Sequence, residues 1–97
     1  MKKFANGKLG SGGDCISRVY LLEESDGTIT FDVGTDRPTG FRATGYVEIE
    51  HSGMYPGTAG EYNNALKDAA EDALVGAGIA RRSTNEWGIK RTELVGQ

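Results

Sequence analysis

The stretch T-A-G-E-Y-N-N-A-L-K-D-A-A-E-D-A-L-V-G-A-G, Thr58 to Gly78, decides how the chain is read. Thr58 stands three residues before Glu61, the spacing at which a threonine hydroxyl accepts from the Glu61 amide while the carboxylate reaches back to the cap. A helix therefore starts at Thr58. Tyr62, Leu66, Ala69, Ala70, Ala73 and Ala77 then recur on one face, with Leu74 flanking them. Alanines let a helix lie close on a sheet, and Gly76 or Gly78 supplies the left-handed stop.

Working outward toward the N-terminus, three segments read as strands. Cys15 to Glu23 is rich in β-branched and aromatic residues and is followed by the turn signal Ser25-Asp26-Gly27. Thr28 to Val33 alternates, with Ile29, Phe31 and Val33 on one side. After a connection from Gly34 to Gly40, Phe41, Ala43, Gly45, Val47 and Ile49 line one face opposite Arg42, Thr44, Tyr46, Glu48 and Glu50. The alanine stripe is expected over the Ile29, Phe31 and Val33 side. Beyond Ile79 a last strand is expected near Trp87 to Leu94, either as a sheet edge or as the second arm of a hairpin beginning at Ile79.

The expected fold is thus α+β: an antiparallel three- to four-stranded sheet with one amphipathic helix packed on one face, in the order β-β-β-α-β. Residues 1–13 carry Asn6-Gly7, Gly10 and Gly12-Gly13 and read as a flexible glycine-rich arm, with 14–97 as a single domain. In the Cys15 to Glu23 strand, Val19, Tyr20, Leu21 and Leu22 are apolar in succession, so both of its faces need cover. The C-terminal segment, the Met54-Tyr55 loop or a second copy of the chain in a homodimer would supply it.

Composition excludes more than it assigns. A chain of 97 residues has room for one core. One cysteine forbids an intramolecular disulfide and fits a reducing compartment, so a soluble cytoplasmic protein without a membrane span is expected. Lys8 precedes the glycines, and the arm contains no G-x-x-x-x-G-K-[ST] run, which excludes a phosphate loop of that type. Strand alternation puts Glu48 and Glu50 on one side and His51 on the other, against a zinc site; no metal or cofactor is expected. Nucleophilic catalysis would have to use His51, with Cys15 as a conceivable partner in space, and no catalytic residue is assigned.

Charge supplies the functional expectation. The net charge is -3, with acidic residues crowded in the middle and cations at the ends. Asp68, Glu71 and Asp72 lie in the C-terminal half of the helix, where the macrodipole is already negative, and Asp68 and Asp72 are like charges four apart. Either Arg81 and Arg82 fold back onto that turn, or Glu61, Asn64, Asp68, Glu71 and Asp72 form an acidic face for a protein with a basic surface.

The leading expectation is a small non-enzymatic protein-binding module. Motif-free α+β chains of this size are common among phage and mobile-element products, so the module is expected to inhibit a host defence or nucleic-acid-processing complex, in the manner of anti-CRISPR or anti-restriction proteins. One alternative is a single-stranded nucleic-acid binder using Arg81, Arg82, Trp87, Lys90 and Arg91, although a tryptophan there more often covers a sheet. The other is a structural subunit of a larger assembly.

Overall fold

The computed structural model describes residues 2–33, 43–54 and 56–96. In chain order these form β1 (Lys2–Lys8), β2 (Cys15–Glu23), β3 (Ile29–Asp32), β4 (Gly45–His51), helix α1 (Ala59–Gly76), β5 (Ala80–Thr84) and β6 (Lys90–Leu94). The expected 34–40 connection, Phe41 and Arg42 at the start of the third expected strand, and Tyr55 lie outside the described residues.

The helix begins and ends where its sequence dictates. Thr58 Oγ1 accepts from the Glu61 amide at 3.1 Å, and Glu61 Oε1 accepts in return from the Thr58 amide at 3.3 Å. At the other end the Gly78 amide donates to the Val75 carbonyl and the Ile79 amide to the Leu74 carbonyl. That pair of bonds needs a left-handed residue between them, and Gly78 supplies it with φ of 75°.

The fold is α+β with one helix among the described residues, but the larger sheet is mixed. Its strand order is β1-β4-β2-β3; β2 pairs antiparallel with β3 and β4, whereas β1 runs parallel to β4. The expectation of a wholly antiparallel sheet is therefore corrected, and so is the flexible arm. Lys2–Lys8 is a strand, drafted onto the β4 edge by backbone pairing although K-K-F-A-N-G-K has little intrinsic preference for one. The glycines after it carry the chain around the end of β4. A Cβ on Gly13 would stand 2.5 Å from the His51 carbonyl oxygen, so a side chain there would block the crossing.

Helix α1 packs on the sheet face that Ile29, Phe31 and Val33 share, as its alanine stripe suggested, and on that face it lies chiefly over β1 and β4. The reason is close approach: a Cβ on Gly7 would lie 2.9 Å from Ala73 Cβ. Leu66, Ala69, Ala70 and Leu74 are buried against Val19, Leu21, Val47 and Ile49, while Ala77 is exposed. Ile29 joins the same core from β3.

The last expected strand resolves as a hairpin. β5 and β6 form their own two-stranded sheet, so the order is β-β-β-β-α-β-β. Ala80 and Leu94 at the base of this hairpin enter the core beside the helix. The C-terminal segment thus does not cover the second face of β2. There Tyr20 packs on Tyr46 with ring centroids 6.3 Å apart, and the Arg18 guanidinium lies over the Tyr46 ring at 4.3 Å. Neighbouring positions on that face are charged and partly solvated, with Lys3 Nζ 3.3 Å from Glu48 Oε1.

Because Gly7 faces Ala73 with no room for a side chain, Gly7→Val is expected to destabilise the chain by about 1–3 kcal/mol, as overpacking does. Urea denaturation read by far-UV circular dichroism measures it, with Gly76→Val, in open space on the same helix, as the comparison.

Candidate functional site

The β5–β6 hairpin projects its tip away from the core. Asn85 organises the turn: its amide donates to the Ile89 carbonyl at 3.0 Å, its carbonyl accepts from the Gly88 amide at 3.0 Å, and its side-chain Oδ1 accepts from the amides of Trp87 and Ile89, both at 2.9 Å. Gly88 closes the loop with φ of 79°. The backbone is therefore fixed, while Trp87 is 76% exposed and Ile89 62% exposed. Trp87 is not the sheet-covering residue its type suggests. The signal in the sequence was N-E-W-G, with asparagine first and glycine fourth, a pattern of turn residues whose consequence is to turn the tryptophan outward.

Of the cations around this tip, most are already engaged. Arg82 donates from Nε to Glu71 Oε2 and from Nη2 to Asp72 Oδ1. These bonds hold the guanidinium more firmly protonated, the Glu71 contact first and the Asp72 contact second. Arg81 Nε donates to Glu93 Oε1 at 3.0 Å. Arg91 Nη2 donates to the Asp26 carbonyl at 3.2 Å and lies 3.8 Å from Glu93 Oε2. Lys90 is exposed, and no ion pair holds it among the described residues.

The acidic helix residues divide in the same way. Glu61 belongs to the cap, and Glu71 accepts from Thr92 Oγ1 at 2.7 Å as well as from Arg82. Asp72 is tied to Arg82, which leaves Asn64 and Asp68 exposed without such contacts among the described residues. Glu61 and Asp72 are also about 16 Å apart along the helix axis at ~1.5 Å per residue, so these side chains form a line and not one cluster. Arg82 supplies the compensation that the helix dipole demanded; Arg81 takes Glu93 instead.

A second constellation lies at the opposite end of β4. His51 is not a loop histidine: it is the last residue of that strand and only 5% exposed. Its Nδ1 is 2.8 Å from the Ser52 carbonyl, which only accepts, so Nδ1 carries the proton. Nε2 then accepts from the Ser17 hydroxyl at 2.7 Å. The Tyr62 hydroxyl closes over the ring within hydrogen-bonding distance of both nitrogens, and Cys15 sits across the ladder from His51. A serine on a histidine is the start of a nucleophilic pair, but both ring nitrogens are spent and the imidazole is covered. The group ties β2, β4 and α1 together.

Glu48 and Glu50 line a shallow cleft of about 220 Å³ on the outer sheet face with Asn6, Lys8 and Ile16. Among the described residues, no group of three or more His, Cys, Asp or Glu side chains is gathered to hold a metal ion, and no helix is long and apolar enough to cross a membrane. Comparison with protein-family models, curated proteins and solved structures returns no match.

Removing the Ser17 hydroxyl takes its 2.7 Å donor from the buried His51 Nε2 and leaves it the Tyr62 hydroxyl at 3.0 Å. Ser17→Ala is expected to cost about 1–3 kcal/mol in denaturant unfolding. A variant as stable as the parent would show that the imidazole does not depend on this bond.

Proposed function

We propose that the chain is a small non-enzymatic protein-binding module that engages its partner with the tip of the β5–β6 hairpin. The observation that carries this is the exposure of Trp87 and Ile89 on a turn whose backbone Asn85 already fixes. Large apolar side chains anchor interfaces because they exclude much water for few rotatable bonds, and a pre-formed turn lowers the ordering cost of binding. Tryptophan is the residue type most enriched at such anchor positions.

The state of the cations supports protein over single-stranded nucleic acid as the ligand. A strand binder needs free positive charge beside its aromatic platform. Here Arg81, Arg82 and Arg91 are paired within the chain, and among the described residues Lys90 alone of the four is left to meet phosphate. The acidic helix face is a weaker candidate for the same reason, since Arg82 already occupies Glu71 and Asp72.

Trp87→Ala is expected to weaken partner capture by about 2 kcal/mol or more, roughly 30-fold, while leaving thermal unfolding unchanged because the ring makes no core contact. Affinity capture with quantitative mass spectrometry, comparing the parent, Trp87→Ala and Asp68→Lys, measures it. A partner kept by Trp87→Ala and lost by Asp68→Lys would move the site to the helix. Steep, salt-sensitive binding to a single-stranded oligonucleotide would replace the protein ligand with a nucleic acid.

A further inference from the structure

The hairpin is held to the rest of the molecule unevenly. At its base Ala80 and Leu94 are buried in the core, and Val95 and Ile79 are joined by a backbone bond of 2.8 Å. Beyond Thr92 the character of the contacts changes. The strands from Ser83 to Thr84 and from Lys90 to Arg91 place no apolar side chain against the core.

What fastens this outer half to α1 is polar: Arg82 to Glu71 and Asp72, and Thr92 Oγ1 to Glu71. Behind those contacts lies a cleft of about 330 Å³, lined by Glu71, Arg82, Thr84, Lys90 and Thr92 among others, where the helix and hairpin do not meet. On the side of the larger sheet, one isolated bridge joins Thr28 to Glu93, and Arg91 reaches the Asp26 carbonyl.

We propose that the β5–β6 hairpin is a hinged arm, latched to helix α1 by the Arg82 guanidinium, and that cations competing for Glu71 and Asp72 release it. The bidentate reach of Arg82 makes the latch directional, since its two nitrogens fix the arm against two carboxylates one residue apart. Its partial exposure makes it responsive. The Arg82 side chain is 47% exposed and that of Asp72 71% exposed, so salt reaches the pair. The inference deepens the proposed function, because the arm carries the Trp87 anchor and the latch sets its direction; its test needs no partner, so the two fail separately.

The experiment uses the full chain. Trp87 is the only tryptophan, so time-resolved fluorescence anisotropy reports the arm without labelling. Backbone ¹⁵N relaxation reports the same segment residue by residue. In dilute buffer the hairpin should move with the body, at order parameters near ~0.85; in Arg82→Gln the block 83–91 should fall together below about 0.6, with β2 and β4 unchanged. Glu71→Gln with Asp72→Asn should reproduce this from the other side of the latch. About 1 M NaCl should move the unmodified chain the same way, since the screening length is then ~3 Å. Arg82→Lys, which keeps the charge and loses the fork, should lie between. Order parameters that stay at the β2 level in both neutralised variants would overturn the proposal, as would loss of the β2 and β4 signals together with those of the arm.

Discussion

Everything in this fold hangs on how closely helix α1 can lie against β1 and β4. At Gly7 a single methyl would meet Ala73 at 2.9 Å, and at Gly45 one would meet the Phe4 ring at 2.3 Å. With Gly7 bare the helix settles on the parallel pair, with Gly45 bare the Phe4 ring of β1 fits against β4, and Leu66 and Leu74 join Val47 and Ile49 in the core beneath. Burial of these side chains holds β1 in place, since its own sequence offers little strand preference. The glycines after β1 serve the same arrangement by letting the chain round the end of β4.

That choice of seat has a consequence at the other end of the molecule. The helix lays its apolar face over one edge of the sheet, and among the described residues the hairpin adds Ala80 and Leu94 to the core at its root, with Ile79 packed beside them. Its outer half is left to carboxylates, hydroxyls and a guanidinium. A turn that Asn85 makes rigid is thereby carried on a support that charge makes adjustable, with Trp87 at its end. Three arginines of the C-terminal segment, Arg81, Arg82 and Arg91, are engaged inside the fold, Arg82 joining β5 to the helix and Arg81 joining β5 to β6.

What could be read in advance follows the range of the interaction responsible. Strand β2 over Cys15–Glu23 and the capped start of α1 depend on local propensity and a three-residue spacing, and both stand where the sequence put them. Strand β1 depends on a parallel partner some forty residues away, as in the pairing of Lys3 with Tyr46, and no local pattern announces it. The tie that His51 makes between elements was not legible, because its partners Ser17 and Tyr62 come from two other elements. The link from Arg82 to the helix was legible, since an acidic C-terminal turn needs a cation. The outward Trp87 was not, because composition marks tryptophan as core and the turn geometry alone reverses that.

The most direct test of this account is the nuclear Overhauser spectrum at the helix–β1 seam. With α1 seated as described, the Ala73 methyl should give a strong cross-peak to the Gly7 α-protons, and the β1 amides paired with β4 should be slow to exchange. Absence of that cross-peak, with β1 amides exchanging at unstructured rates, would return residues 1–13 to a loose arm and remove the foundation on which the hairpin is placed.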